Sequence, residues 1–300
     1  MTSPLRHPFV LLVLGSVLIS FSAVFVKIAD VTPTVAGVYR NLFGAMALFA
    51  LAFLRRDALW RGWRPLLYAL IAAVFFAGDL FFWHRSIHYI GPGLATILGN
   101  SQVFVMAIVG IFVFGERRTW QFAVSLPLVV LGLLMLVGAD WSTLGPTYRL
   151  GVVFGGLTAV TYAGFLLTLR RAQRSPVRLS AAANLAVVTT LTAAVMVLMA
   201  RIEASTLHVP NTRSWLVLIA YGVICQGVGW ALISRALRSV DASRVGLVLL
   251  LQPTLTFVWD MLFFRRPTTL IEGLGALLAL GAIYLGSVRR PPRHGTAERG

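Results

Sequence analysis

The chain has 300 residues, of which 58% are hydrophobic and 12% are charged, and its mean hydropathy is +0.83. A soluble domain carries roughly a quarter charged residues, so this composition excludes a soluble globular protein. The net charge of +16 does not indicate a nucleic-acid partner, because the basic residues cluster in short loops between apolar runs. That distribution is typical of a protein whose main partner is the lipid bilayer.

Apolar runs of about 20 residues, each long enough to cross a bilayer, recur along the chain and predict ten transmembrane helices. Their continuous apolarity favours helices over barrel strands, in which polar and apolar residues would alternate. The first run follows a basic N-terminus but is too long for a signal peptide, so we interpret it as an uncleaved helix. The predicted spans are 8–29, 33–54, 65–83, 92–114, 120–138, 150–169, 178–200, 214–233, 242–263 and 268–288.

The basic residues also predict the orientation of the helices. Of the 26 Lys and Arg residues, 18 lie on the side that holds the N-terminus and 7 on the other, while Arg40 falls within a span. This bias predicts an inner (plasma) membrane protein with both termini in the cytoplasm. Two consecutive five-helix halves must then insert with opposite topology. We therefore expect an all-α fold of two inverted five-helix repeats, residues 1–142 and 143–300, around a central cavity.

Two glutamines mark the same depth in each half. Gln102 and Gln252 lie 150 residues apart, each near the centre of an apolar span. An amide at that depth is costly unless it has a partner. We interpret both, with Asn100 and Ser101 beside Gln102, as substrate-binding residues; a hydrogen bond that joins the two halves is the alternative. Pro253 predicts a kink directly after Gln252.

Three of the charged residues inside the predicted spans are candidates for substrate binding or proton coupling. Arg40, beside Tyr39, lies about two turns from the outer end of its span and can bind a substrate carboxylate or snorkel outward. Asp79 and Asp260 are predicted about one turn from the outer end, where they can carry protons, attract an ammonium group or pair with an arginine. Tyr39, Arg40 and Asp79 are candidate substrate-binding residues.

Protons are also candidate partners. A proton carrier must be reachable from both sides in turn, and the two acids are predicted to be shallow. We therefore expect that solute exchange does not strictly require a proton gradient.

Aromatic residues supply the remaining candidates. Trp83, Tyr162 and Trp230 neighbour polar residues, among them Gln226, which we include in the predicted site. Their rings can hold a flat apolar side chain or a cation inside a cavity. The alternative for such residues is contact with lipid or with the membrane interface.

No sequence motif predicts a cofactor or a catalytic function. The chain lacks a phosphate-binding loop and any His, Cys or Glu cluster with metal-ligand spacing. A membrane-embedded enzyme is the competing class. His84 and His88 with Asp79 come nearest to a catalytic cluster, but they fall in a loop-like stretch without a third ligand.

Several stretches resemble a known superfamily. The segment Trp230–Arg238 (WALISRALR), followed by Ala242–Arg244 (ASR) and Leu249–Pro253 (LLLQP), is similar to the second-half signature of the drug/metabolite transporter superfamily, EamA type. The segment Phe114–Arg117 (FGER) resembles the end of helix four in the same family. We also expect Glu116 to be structural and to cap the start of helix five.

The resemblance implies a secondary or facilitative transporter that exports small organic solutes by alternating access. Within the superfamily the chain resembles the YddG-like exporters of aromatic amino acids, with exporters of lipophilic cations or other metabolites as the alternative. The chain departs from the pattern at Gln252, where many relatives have glutamate, and at Arg265 and Arg266, where the second half often repeats Gly-Glu.

A cysteine-labelling experiment tests the predicted topology. The only native cysteine, Cys225, is replaced, and a probe cysteine is introduced as Ser142→Cys in the predicted outer loop 139–149. We expect a membrane-impermeant thiol reagent to reach this probe from outside, because the loop joins the two halves on the face opposite the termini. Labelling from the cytoplasmic side alone would contradict the inverted arrangement.

Overall fold

The structure is a computed structural model that describes residues 8–113, 120–137, 144–173, 175–236 and 248–287. Over these ranges the chain is helical and contains no strand. The helices are α1 Pro8–Ser20, α2 Ser22–Ile28, α3 Pro33–Leu54, α4 Trp63–Ile90, α5 Pro92–Gly99, α6 Gln102–Phe112, α7 Trp120–Val137, α8 Pro146–Gln173, α9 Ala181–Ile202, α10 Thr212–Ala220, the π segment Tyr221–Gly229, α11 Trp230–Ala236, α12 Leu251–Phe264 and α13 Leu270–Ser287.

These helices account for all ten predicted spans. The first span consists of α1 and α2, the fourth of α5 and α6, and the eighth of α10, the π segment and α11. Seven described segments are long and apolar enough to cross a membrane, and α7 and α13 contain shorter apolar helices. The predicted ten-helix membrane fold is therefore confirmed.

Helix α4 is longer than the sequence indicated. The predicted span ended at residue 83, whereas the helix continues to Ile90 and ends only where Gly91 adopts a φ of 87°. The polar residues after position 83 resembled a loop. Inside the bundle several of them have partners instead: Ser86, for example, donates to the carbonyl oxygen of Gly151 at 2.8 Å. The helix can therefore continue through them.

The bundle is held together by contacts between its two halves. Each main helix pair among the described residues joins a helix before residue 138 to one after residue 144. The pairs include α4 with α8 and with α9, α7 with α13, α3 with α9 and with the π segment, α5 with α12, and α1 with α11. This pairing is what two inverted five-helix repeats produce. Large apolar side chains on the outside, such as Phe53 at 83% and Leu270 at 82% exposure, are suited to contact with lipid.

Helices α7 and α13 cross through two glycines. A Cβ atom added to Gly132 would lie 2.8 Å from the carbonyl oxygen of Gly275, and one added to Gly275 would lie 2.8 Å from that of Gly132. The two backbones are thus in direct contact, as small residues permit in membrane helix pairs.

This crossing predicts a difference between two glycines of α13. Gly275→Ala should lower stability, because overpacking of a tight contact typically costs about 1–3 kcal/mol. Thermal unfolding in detergent measures the loss. Gly281→Ala is the matched control, since a Cβ atom there would meet no other atom within 4 Å, and alanine is the better helix former by roughly 1 kcal/mol. Equal melting temperatures for the two variants would contradict the close crossing.

Candidate functional site

Two transmembrane spans are broken at matching points. The fourth is interrupted at Asn100 and Ser101, between α5 and α6, and the ninth at Leu250, just before α12. The predicted kink at Pro253 corresponds to this second break. Pro253 lies in the first turn of α12, where the missing backbone N–H costs little because that group has no partner within the helix. Irregular backbone at membrane depth is tolerated where it lines a cavity.

A central cavity of about 90 Å³ lies beside both breaks. Its lining combines a cation, an acid, two amides, aromatic rings and hydroxyl groups. Seven predicted substrate-binding residues line it: Arg40, Asp79, Trp83, Asn100, Tyr162, Trp230 and Gln252. The hydroxyl groups belong to Ser22, Thr96, Thr158 and Thr256, none of which is among the predicted site residues.

Arg40 enters the central cavity as a buried cation and is only 4% exposed. Its Nε donates to Gln226 Oε1 at 3.0 Å, and its Nη1 donates to the Tyr221 hydroxyl at 2.8 Å. The guanidinium carbon also lies 4.9 Å from the centre of the Tyr221 ring. The alternative in which Arg40 snorkels to the membrane surface is therefore wrong, since its side chain is anchored in the protein interior.

Asp79 reaches the same cavity from α4. It is 6% exposed, and its carboxyl group makes no hydrogen bond and no ion pair with the described part of the chain. The ion pair with an arginine, which the sequence left open for this residue, is thus not formed there. A buried acid and a buried cation face one cavity, and each is costly to leave without a partner of opposite charge.

Asp79 is also deeper than predicted. It lies 11 residues before Ile90, the last residue of the 28-residue α4, which is about 16 Å along the helix axis. The predicted position one turn from the outer end is therefore wrong, because the predicted span stopped too early. The expectation that exchange needs no proton gradient was based on the shallow position predicted for both acids. For Asp79 that basis no longer holds.

Aromatic rings form the apolar wall of the central cavity. Trp83, Tyr162 and Trp230 line it together with Phe76. The indole nitrogen of Trp230 is buried and has no hydrogen-bond partner within the described ranges. An unsatisfied buried donor costs about 1–3 kcal/mol. This nitrogen is enclosed by protein atoms, so Trp230 contributes its ring to the wall.

Two predicted residues are held by other partners outside the cavity lining. Gln226 is fully buried behind Arg40, and its amide nitrogen donates to the Thr189 hydroxyl at 3.1 Å. The Tyr39 hydroxyl donates to the carbonyl oxygen of Leu207 at 2.8 Å.

Gln102 and Ser101 lie at the first break, also outside the lining. With its amide nitrogen turned towards the backbone, Gln102 donates to the carbonyl oxygen of Gly99 at 2.7 Å. The Ser101 hydroxyl is buried and lacks a partner among the described residues. The two symmetric glutamines therefore differ: Gln252 faces the cavity, and Gln102 faces its own helix end.

Asp260 lies in a separate polar cluster. Its carboxylate accepts from the backbone N–H of Gly93 at 2.9 Å and lies 3.6 Å from Arg266, which in turn lies 3.5 Å from Glu272. The ion-pair alternative therefore holds for Asp260. Glu116, Ser142 and the signature residues 114–117 and 238–244 lie outside the described residues.

The environment of one histidine and one tyrosine was not predicted from the sequence. His84 Nδ1 lies 2.8 Å from the carbonyl oxygen of Pro33, and its Nε2 lies 3.0 Å from the Tyr221 hydroxyl. The loop-like placement of His84 and His88 is wrong, since both lie in α4. Tyr221 was not predicted as a site residue, because nothing in the apolar sequence around it indicates a π-helix. The one polar residue nearby that points to a site is Gln226, five residues later.

The model of the EamA-like transporter family matches residues 8–138 and again residues 149–288. The chain belongs to this family. The resemblance to the EamA type of the drug/metabolite transporter superfamily is thereby confirmed, and the chain is a multi-pass membrane transporter of small solutes. The two matches fall on either side of residue 142, where we divided the chain, but the division at that residue stays a prediction.

A solved crystal structure, described only as that of a protein, has the same fold. It is 19% identical in sequence, covers 93% of this chain and 95% of its own, and superposes with a TM-score of 0.65. At this identity the likeness concerns the fold alone. No curated protein matches the sequence.

The different placement of the two glutamines predicts different transport phenotypes. Gln252→Ala should weaken solute binding up to roughly tenfold, because a single hydrogen bond to an uncharged partner contributes about 0.5–1.5 kcal/mol. Gln102→Ala, the symmetric control, should change binding little. Counterflow in proteoliposomes measures both half-saturation concentrations. Full affinity in Gln252→Ala would contradict its place in the site.

Proposed function

We propose that the protein exports small zwitterionic solutes, chiefly aromatic and other apolar amino acids, by alternating access. It then lies in the inner (plasma) membrane with both termini in the cytoplasm, as the distribution of basic residues predicts. Residues 1–142 and 143–300 are the two halves that move against each other. The resemblance to YddG-like exporters supports the same substrate class.

The two opposite charges in the central cavity carry this proposal. Arg40 and Asp79 are both buried and both line the cavity, and they form no ion pair with each other. An amino acid supplies a carboxylate for Arg40 and an ammonium group for Asp79. A single ligand of this kind gives both buried charges a partner, and charge-assisted hydrogen bonds are about twice as strong as neutral ones.

The remaining lining suits the rest of such a ligand. The rings of Trp83, Tyr162 and Phe76 offer an apolar surface on which a flat side chain can stack. The hydroxyl groups of Thr96, Thr158 and Thr256 also line the cavity and can bind a ligand oxygen. The Gln252 amide can both donate and accept.

Export of lipophilic cations is the second candidate, since Asp79 near Trp83 and Tyr162 can hold a cation. Arg40 favours the zwitterion, because a buried guanidinium repels a cation that brings no carboxylate. An enzyme built on His84 is disfavoured, since both nitrogens of that ring already have partners. Protons remain candidate partners, because Asp79 lies deep enough for a proton to replace the ammonium group.

Competition experiments test the substrate class. Proteoliposomes exchange labelled phenylalanine in the presence of phenylalanine, phenylalaninamide, 3-phenylpropionate or a lipophilic phosphonium cation. Loss of either charge should weaken competition by at least about tenfold, because hydrogen bonds to charged groups contribute roughly 1.5–3 kcal/mol. Strong competition by the phosphonium cation alone would favour the cation exporter instead.

Asp79→Asn should remove the penalty for 3-phenylpropionate, which lacks the ammonium group, while the penalty for the amide remains. Asp30→Asn is the matched control, since Asp30 is exposed and does not line the cavity. A variant Asp79→Asn that still rejects the deaminated acid would contradict the role of Asp79.

A further inference from the structure

Uncharged groups hold the buried cation of the site. Arg40 donates from Nε to the Gln226 amide oxygen and from Nη1 to the Tyr221 hydroxyl, and no carboxylate pairs with it within the described chain. Its other terminal nitrogen, Nη2, makes no hydrogen bond there and is not among the enclosed polar atoms. The anchors thus fix the guanidinium plane but leave its charge, and Nη2, available to a ligand.

The π segment brings the two anchors to one face. Tyr221 and Gln226 are five residues apart. In an α-helix such residues would point about 140° apart, because each residue turns the chain by about 100°. The i→i+5 hydrogen bonding of a π-helix stacks them instead, so both can reach Arg40 on α3.

Glycines allow α3 and the π segment to come close enough for these hydrogen bonds. A Cβ atom on Gly44 would lie 2.7 Å from the Cβ of Gln226, and one on Gly222 would lie 2.8 Å from the backbone oxygen of Arg40. A side chain at either position would push the two backbones apart. The distance from Arg40 to its anchors therefore depends on the close contact at Gly44 and Gly222, which we call the glycine seam.

His84 fixes the direction of the Tyr221 hydroxyl. The Pro33 carbonyl can only accept, so His84 Nδ1 carries the proton in that contact. In this neutral tautomer Nε2 is an acceptor, and the Tyr221 O–H, 3.0 Å away, donates to it. The lone pairs of the hydroxyl oxygen are then free to accept from Arg40 Nη1.

Thr189 orients the second anchor in a similar way. The Gln226 amide nitrogen donates to the Thr189 hydroxyl at 3.1 Å, which turns the amide oxygen towards Arg40. Thr189, Gln226, Tyr221 and His84 are all fully buried, and none of them lines the central cavity.

We infer that Tyr221, Gln226 and His84 are positioning residues: they present Arg40 to a substrate carboxylate with its charge unneutralised, and so set the preference for acids over their amides. The inference rests on the proposed function, in which Arg40 binds the carboxylate. It adds that selectivity is set by residues behind the cavity, which do not touch the substrate.

Tyr221→Phe provides the first test, because it removes one anchor and keeps the ring. The concentration of phenylalanine that halves labelled uptake should rise about three- to tenfold, the effect of one hydrogen bond, while that of phenylalaninamide changes by less than about twofold. Tyr89→Phe is the matched control, since the Tyr89 ring stacks on Phe154 away from the cavity. It should leave both concentrations unchanged.

Gln226→Glu provides the second test and does not depend on the first variant folding. Glutamate has the same shape, can accept from Arg40 and can accept from the Thr189 hydroxyl, so the melting temperature should not fall. It neutralises Arg40, however. The ratio of the two inhibitory concentrations should therefore move close to one.

The ratio distinguishes positioning from a structural role. A structural defect would weaken both competitors equally or lower only the maximum rate, and an unchanged ratio in either folded variant overturns the inference. Wild-type protein that shows no preference for the acid would overturn the proposed function, and the inference with it. A wild-type preference for the acid that falls in Tyr221→Phe and is lost in Gln226→Glu supports both.

Discussion

The burial of one positive charge determines how the helices around the site are arranged. A guanidinium at the depth of Arg40 costs at least a few kcal/mol unless its N–H groups find acceptors. An acid as anchor would have neutralised the charge, and the protein uses neutral acceptors instead. Those acceptors reach Arg40 because a π segment presents them and a glycine seam brings the backbones together. The π segment therefore lets Arg40 be held by neutral acceptors, and its positive charge stays available to a ligand.

The same requirement for partners explains where the helices break. Backbone groups freed at membrane depth must bind something other than water. At the break after α1, the carbonyl oxygen of Ser20 accepts from the Thr256 hydroxyl at 2.9 Å, and the Ser20 hydroxyl accepts from the Trp259 indole at 3.0 Å. Side chains of α12 thus supply hydrogen-bond partners to the oxygen atoms at a break in the first span. Thr256 also lines the cavity, so the support for the backbone and the site share residues.

Apolar runs of about 20 residues recur along the whole sequence, and they predicted the ten helices. Polar and aromatic residues inside those runs predicted half of the residues that line the cavity. Contacts between helices were not predictable. Gln102 and Gln252 look equivalent in the sequence, yet only Gln252 faces the cavity, because a local turn directs Gln102 to the Gly99 carbonyl. His84 looked like a loop residue because its partners, Pro33 and Tyr221, are 51 and 137 residues away. Polar residues mark the end of a membrane helix only when no partner exists within the bundle.

The anchoring of Arg40 also crosses the line between the two halves. Arg40 and Asp79 precede residue 142, whereas Tyr221 and Gln226 follow it. In the proposed mechanism the halves move against each other, so the hydrogen bonds that hold the guanidinium are among those the movement must change. A ligand can bias such a movement only through contacts that differ between the two states. A glycine seam has few interlocking side chains and can slide. A carboxylate bound to Arg40 would therefore change the hydrogen bonds that join the two halves, at the glycine seam where the halves can slide against each other.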